Sequence, residues 1–242
     1  MSASRILSID AVDLRFAARP WPFAEAEAER IADHWRARVA QLPRLYNGRV
    51  LLLGRHTIGA GPQGTTLSGE YFETHFAAFL AWRDFGFPDL TVANAFSMAA
   101  LVAADGAFLL GKMAGHTANA GATYFPAGTP DPNDVFDGKV DLVSSALREL
   151  SEETGIASDE VVFAPGWTVV YAPPRIACLK LMRLAQPAAA IKARVEAFLA
   201  ADPEAELSGI RIVRGPADVD RTRTPGFIVD YLDFAFAHKS EG

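Results

Sequence analysis

Residues 148–156 constrain this 242-residue chain more than any other stretch of its sequence. They read Arg-Glu-Leu-Ser-Glu-Glu-Thr-Gly-Ile and place Glu149, Glu152 and Glu153 at helical spacings of three and four, so the three carboxylates share one helix face. Like charges at this spacing destabilise a helix by about 0.2–0.5 kcal/mol per pair, and carboxylates near a helix C-terminus also oppose the helix dipole. A positive partner is therefore expected, and a divalent cation with oxygen ligands is the natural candidate.

The surrounding residues predict where this helix begins, ends and is buried. Asp141 can cap its N-terminus, and Gly155 can adopt the left-handed conformation that commonly ends a helix. Between them Val143, Leu147 and Leu150 recur at i, i+4 and i+7, which predicts an apolar stripe that faces the core. The carboxylates would then lie on the flank that faces the preceding loop.

The same nonapeptide resembles the second half of the signature of the Nudix hydrolases. That signature runs Gly, five residues, Glu, seven residues, then Arg-Glu-apolar-x-Glu-Glu-x-Gly-apolar, and residues 148–156 match its second half at every defined position. The first half departs from the pattern. Gly128 would open it, and Asp134 stands where Glu is expected, unless Asp141 takes that early acidic role. The loop between Gly128 and Arg148 is about six residues longer than in the signature.

The resemblance implies a metal-dependent pyrophosphate hydrolase and a role for each matched residue. Glu149, Glu152 and Glu153 would carry the metal, with Gly128 as a backbone ligand. Arg148 would orient a carboxylate, and either Glu149 or Glu152 would be the base. Clustered carboxylates suit Mg²⁺ or Mn²⁺ better than zinc, which favours His and Cys ligands.

Two further sets of side chains are candidates for the site. Family members often take another carboxylate from a distant loop or strand, and the sequence does not choose among Glu196, Glu204, Glu206 and Asp218. Cations near the site are expected to grip the substrate's phosphates, and the candidates are Lys112, His116 and Arg175. The alternative for each cation is surface charge at the end of a loop.

The sequence predicts an α+β fold in two parts. The resemblance implies a Nudix-type α/β/α sandwich with a mixed sheet over residues 93–242, whose last elements are a helix at 188–201, a strand at 210–213 and a helix that ends near 237. Residues 1–92 are expected to form a small α/β extension, with strands at 6–16 and 49–53 and helices at 23–41 and 70–85. This extension would pack on the main domain or at the interface of a homodimer. The long acidic insert after Gly128, together with a small preceding α/β segment, loosely resembles a branch of the family that cleaves UDP-sugars. Roles as a lid or a binding module stay open.

Composition excludes several classes of protein. The net charge of −6 argues against nonspecific binding of nucleic acid. The lone cysteine, Cys178, cannot form an internal disulfide and is expected to be buried. No signal peptide and no apolar run of membrane-spanning length is evident, so a cytoplasmic protein is expected.

The sequence thus predicts Mg²⁺-dependent hydrolysis of a nucleoside diphosphate linked to another moiety, such as a nucleotide-sugar, ADP-ribose or a coenzyme A-like group. The products would be a nucleoside monophosphate and a phosphorylated remainder. The alternative is a catalytically degenerate protein of the same fold that acts as a nucleotide sensor or interaction module.

Overall fold

The computed structural model describes residues 4–117 and 119–238, which form two sheets and the helices that cover them. The strands are β1 (Arg5–Ile9), β2 (Ala11–Phe16), β3 (Arg49–Gly61), β4 (Gly64–His75), β5 (Asn94–Val102), β6 (Phe108–Met113), β7 (Thr123–Tyr124), β8 (Ala127–Gly128), β9 (Val135–Phe136), β10 (Lys139–Val140), β11 (Val161–Phe163), β12 (Trp167–Ala172), β13 (Arg175–Leu184) and β14 (Leu207–Val213). The helices are α1 (Pro22–Ala26), α2 (Ala28–Gln41), α3 (Phe76–Asp84), α4 (Leu142–Thr154), α5 (Ala188–Ala200) and α6 (Gly226–Ala237).

The larger sheet has the order β1-β12-β13-β5-β6-β14, with the short strands β11, β7 and β8 paired to β13, β6 and β5. It is mixed, because β13 and β5 run parallel while the other pairs are antiparallel. Side chains alternate along β5: Leu101 packs with α4 and α5 on one face, and Met98 packs with α6 on the other. Helices therefore cover both faces, and the predicted α+β class with an α/β/α sandwich is confirmed.

The smaller sheet has the order β3-β4-β2-β10-β9. One of its faces packs against the larger sheet, where Leu51 and Tyr71 meet Ile176 and the buried Cys178. Its other face packs Leu52 and other apolar side chains against α3. The thiol at Cys178 is buried as the sequence predicts.

The two segments of the chain exchange strands. From the first segment, β1 pairs with β12 at the edge of the larger sheet, from Arg5 opposite Tyr171 to Ile9 opposite Trp167. From the second segment, β10 joins β2 in the smaller sheet. The long loop after Gly128 supplies this β9–β10 hairpin, so its additional residues link the two parts. The division at residue 92 stays a prediction.

Several predicted elements have different limits in the structure. The strand at 6–16 divides into β1 and β2, the helix at 23–41 divides into α1 and α2, and the strand from 49 runs on to Gly61. The helix predicted over 70–85 is wrong before residue 76, because β4 continues to His75. Phe72, Phe76 and Phe79 mimic helical spacing, but Phe72 lies on the strand. The helices and strand predicted near the C-terminus are confirmed as α5, β14 and α6.

The described helices contain none that is long and apolar enough to cross a membrane.

Candidate active site

The helix that carries the three glutamates, α4, has the predicted caps. The Asp141 side chain accepts hydrogen bonds from the backbone N–H groups of Val143 at 2.9 Å and Ser144 at 3.1 Å. Gly155 ends the helix in the left-handed conformation, with φ at 67°. The buried stripe, however, is formed by Leu142, Ala146 and Leu150. The predicted stripe is therefore wrong by about one residue at its first two positions, where Val143 and Leu147 are half-buried.

The orientation of α4 about its own axis gives its three glutamates different environments. Glu153 lies on the buried side of the helix, Glu149 is half-buried and Glu152 is exposed. The backbone of Ala127, in the strand β8 next to α4, hydrogen-bonds the Glu153 carboxylate. Glu153 Oε2 is nevertheless buried without a hydrogen-bond partner among the described residues. A buried carboxylate oxygen in that state is costly unless a cation or proton joins it.

Arg148 connects α4 to the lengthened loop. Its guanidinium donates to Glu149 Oε1 at 2.8 Å and to Asp134 Oδ2 at 3.0 Å, and it lies 3.7 Å from Glu152 Oε2. Asp134 is buried and also accepts a hydrogen bond from the backbone N–H of Asp131 at 3.0 Å. The residue that replaces the expected Glu therefore anchors Arg148, which in turn orients Glu149.

The backbone at Gly128 lies directly against the carboxylate of Glu149. A Cβ atom added at this position would overlap the carboxylate oxygens of Glu149. The close approach explains why the turn carries glycine, since any side chain would displace Glu149. Gly128 thus lies beside the Glu149 carboxylate.

Burial and mutual repulsion make Glu149 and Glu153 unusually weak acids. Burial raises the pKa of Glu153 to about 9, with added repulsion from Glu149, Glu206 and Glu152. The pKa of Glu149 rises to about 7, because burial and the charges of Glu152 and Glu206 outweigh the attraction of Arg148. The site therefore gathers more carboxyl groups than its one arginine can keep ionised.

Of the four candidate carboxylates, Glu206 is the one whose charge raises the pKa of Glu149 and Glu153. It lies just before β14. The other three candidates are held elsewhere: Glu196 by Lys192 at 3.6 Å, Glu204 by Arg44 at 2.6 Å, and Asp218 by the backbone N–H of Arg214 at 2.8 Å. Sequence spacing gave no signal for this choice, which depends on where the chain enters β14.

A cavity of about 670 Å³ adjoins the carboxylates at Gly128. Its walls combine aromatic and other apolar side chains with two arginines and two asparagines: Phe76, Phe79, Arg83, Asn94, Phe96, Met98, Asn119, Ala120, Ala122, Tyr124, Ala127, Gly128, Thr129, Arg175, Pro225 and Phe227. A pocket of this size suits a ligand of nucleotide dimensions.

The three cations named from the sequence have different positions relative to the cavity. Arg175 lines it, at the start of β13. Lys112 is exposed on β6, and His116 lies in the loop that follows β6. Within residues 4–117 and 119–238, neither belongs to the cavity wall. Their roles in substrate binding stay predictions, as do the roles of the carboxylates.

The donor set fits a divalent metal in its chemistry. Three glutamates and Glu206 supply only oxygen ligands, as Mg²⁺ and Mn²⁺ prefer, and Glu153 Oε2 lacks any other partner in the described part of the chain. As the side chains stand, no three His, Cys, Asp or Glu residues of that part converge with the spacing of a metal site. The hydrogen bond from Arg148 keeps Glu149 turned toward the guanidinium.

Comparisons with known proteins find similarity at the level of structure. No protein-family profile matches the chain, and no curated protein matches it. The fold is similar to a MutT protein from Methanosarcina mazei Go1, with 18% identity over 62% of this chain and 96% of that chain and a TM-score of 0.42. A mutT/nudix family protein from Listeria innocua shares 18% identity over 61% of this chain and 94% of its own, with a TM-score of 0.43. An Ap4A hydrolase from C. elegans shares 16% identity over 60% of this chain and 95% of its own, with a TM-score of 0.41. Each of these likenesses is a similarity of fold at low sequence identity.

Proposed function

We propose that this protein is a metal-dependent hydrolase that cleaves the pyrophosphate bond of a nucleoside diphosphate linked to another group. The observation that carries the proposal is the buried Glu153 carboxylate, which has one oxygen without a partner among the described residues and interacts electrostatically with Glu149, Glu206 and Glu152. Such a group of carboxylates beside a large cavity favours binding of a divalent cation together with a polyanionic substrate.

The residues of α4 would have different roles in the reaction. When bound by Glu149, Glu152 and Glu153, Mg²⁺ or Mn²⁺ would neutralise phosphate charge and lower the pKa of the attacking water. Arg148 holds Glu149 through the 2.8 Å hydrogen bond, and the backbone of Gly128 packs against the same carboxylate. Glu149 is thereby oriented to accept the proton of the attacking water, which makes it our candidate for the general base.

The cavity supplies the binding site for one end of the substrate. It begins at Gly128, next to Glu149, so a pyrophosphate at the carboxylates would extend its nucleoside or its linked group into the cavity. The volume of about 670 Å³ accommodates a nucleotide-sugar, ADP-ribose or a coenzyme A-like group. Hydrolysis would release a nucleoside monophosphate and a phosphorylated remainder.

One observation favours the alternative of a nucleotide sensor without catalysis. No three potential ligand residues in the described part of the chain have metal-site spacing, and Arg148 occupies Glu149. A binding protein does not need a metal-ready arrangement. The retention of all three signature glutamates, with a fourth carboxylate at Glu206, favours the enzyme.

Hydrolysis assays distinguish the two functions. Phosphorylated products would be measured with Mg²⁺ across UDP-sugars, ADP-ribose, coenzyme A, dinucleotides and nucleoside triphosphates. Wild-type protein would be compared with Glu153→Gln, with an EDTA-treated sample, and with Glu160→Gln, which alters a half-buried carboxylate that pairs with Arg194 away from the cluster. Turnover that survives only in wild type and Glu160→Gln supports the enzyme. Nucleotide binding without turnover in any sample supports the sensor.

A further inference from the structure

The cavity beside the carboxylates is built by both segments of the chain. Phe76, Phe79 and Arg83 reach it from α3, which belongs to residues 1–92 and lies outside the family resemblance. The opposite wall includes Asn94 on β5 and Arg175 on β13, which are paired in the parallel register of these strands. The first segment therefore contributes directly to the pocket.

Two arginines converge on this cavity without a carboxylate to balance them there. The lining residues include Arg83 and Arg175 and, for the part of the chain described, no Asp or Glu. Burial lowers the pKa of Arg175, and the nearby positive charge of Arg83 lowers it further. Like charges that line one cavity repel each other, and an anion bound between them would relieve this repulsion.

The ion pairs of the region leave both cations available. Within residues 4–117 and 119–238, Arg175 has no ion pair with a carboxylate, and its guanidinium lies 5.4 Å from the ring centre of Phe227. Arg83 donates through Nε to Asp84 at 3.1 Å, which leaves its two terminal nitrogens for another acceptor. Asp84 is shared with His34 at 3.0 Å and with Arg38 at 3.6 Å, so its charge is divided among three partners.

Aromatic rings stand beside the two cations. Phe96 and Phe227 meet edge to face with ring centres 6.0 Å apart, and Phe76 and Phe79 lie 5.8 Å apart on α3. Rings offer a flat surface for a base or sugar, while guanidinium groups bind phosphate and carboxylate in a fixed planar geometry. The walls therefore suit a ligand with a flat or apolar body and a negatively charged substituent.

We propose that Arg83 and Arg175 together bind an anionic group, a phosphate or a carboxylate, at the end of the substrate that extends from the pyrophosphate into the cavity. Helix α3 then determines specificity, and the substrate carries one more negative charge than a simple nucleotide-sugar. The position of the pyrophosphate in this inference rests on the proposed function.

Binding measurements with EDTA present, where no turnover can occur, test this inference. Isothermal titration would compare two ligand pairs whose members differ in one anionic group: ADP-ribose with ADP-ribose 2′-phosphate, and UDP-glucose with UDP-glucuronate. The first pair tests a phosphate on the nucleoside, and the second tests a carboxylate on the linked group. The variants are Arg83→Gln and Arg175→Gln. The matched control is Arg38→Gln, which also removes a cation beside Asp84 but lies outside the cavity wall.

Wild-type protein should bind the more anionic member of one pair at least about tenfold more tightly, since hydrogen bonds to charged groups are the stronger ones. Arg83→Gln and Arg175→Gln should each remove that preference, with little change for the less anionic member, and Arg38→Gln should retain it. Equal affinities within both pairs, or a preference that survives in both cavity variants, would overturn the inference. Thermal melting checks that the variants fold. The hydrolysis assay is a separate measurement. Turnover without this charge preference would refute only the anion site at Arg83 and Arg175. A charge preference without turnover would refute only the proposed hydrolase activity.

Discussion

The backbone of Gly128 lies against the carboxylate of Glu149, so closely that no Cβ atom fits between them. This contact joins the turn that opens the signature to the helix that completes it. Because Arg148 also donates a hydrogen bond to this carboxylate at 2.8 Å, Glu149 is held by both a backbone contact and a cation. The position of this side chain is therefore set by two elements that the long loop separates in sequence.

Replacing Gly128 with Ala should impair catalysis more than folding. The added methyl group must displace the far end of the Glu149 side chain, and a shift of about 1 Å in a catalytic group can cost on the order of 100-fold in rate. Steady-state kinetics and thermal melting would measure the two effects. The control is Gly59→Ala, since a Cβ at that position meets no atom within 4 Å. Unchanged kcat in Gly128→Ala would show that the position of Glu149 is not critical.

The stability of the metal-free protein should fall as the pH rises. The pKa of Glu153 is about 9 in the folded state against 4.5 for an unperturbed glutamate, so the folded state binds more protons between these values. Stability is then lost with rising pH, with a slope of at most about 1.4 kcal/mol per pH unit from this group. Urea unfolding in EDTA at pH 5, 7 and 9 would measure it. Glu153→Gln should flatten the profile, and a wild-type profile that rises with pH across this range would contradict the buried, proton-binding carboxylate.

Glu206 should matter for metal binding, whereas Glu204 should not. Glu206 acts electrostatically on Glu149 and Glu153, while Glu204 pairs with Arg44 at 2.6 Å. We expect Glu206→Gln to raise the Mg²⁺ concentration needed for half-maximal activity by about 10-fold or more, the effect typical of residues that support a metal site. Glu204→Gln is the matched control, two positions away. Equal Mg²⁺ dependence of both variants would remove Glu206 from the site.

Local sequence predicted the helix of the site well but placed its buried face imperfectly. The caps at Asp141 and Gly155 depend on a few neighbouring residues, so they are readable from the chain. The choice between Leu142 and Val143 for the core depends on how α4 sits on the larger sheet. That rotation is also what buries Glu153 and leaves Glu152 exposed.

The wrong predictions of secondary structure in residues 1–92 have a common cause. Phe72 fits the helical spacing of Phe76 and Phe79, yet it lies on β4, because pairing with β3 satisfies the backbone and packs Phe72 beneath α3. Strand pairing joins residues that are distant in sequence, so a local pattern does not reveal it. The same holds for β1, whose partner β12 lies more than 150 residues away along the chain.

By itself the sequence determined the chemistry available to this protein: three glutamates and an arginine on one capped helix, preceded by a glycine turn. Tertiary structure alone decided which other groups join them. It placed Glu206 near the cluster, made Asp134 the anchor of Arg148, and brought Arg83 and Arg175 to one cavity. The physical reason is that helical hydrogen bonding and capping act between near neighbours in the chain, whereas strand pairing, burial and electrostatic coupling depend on distances that only sheet register and helix packing set.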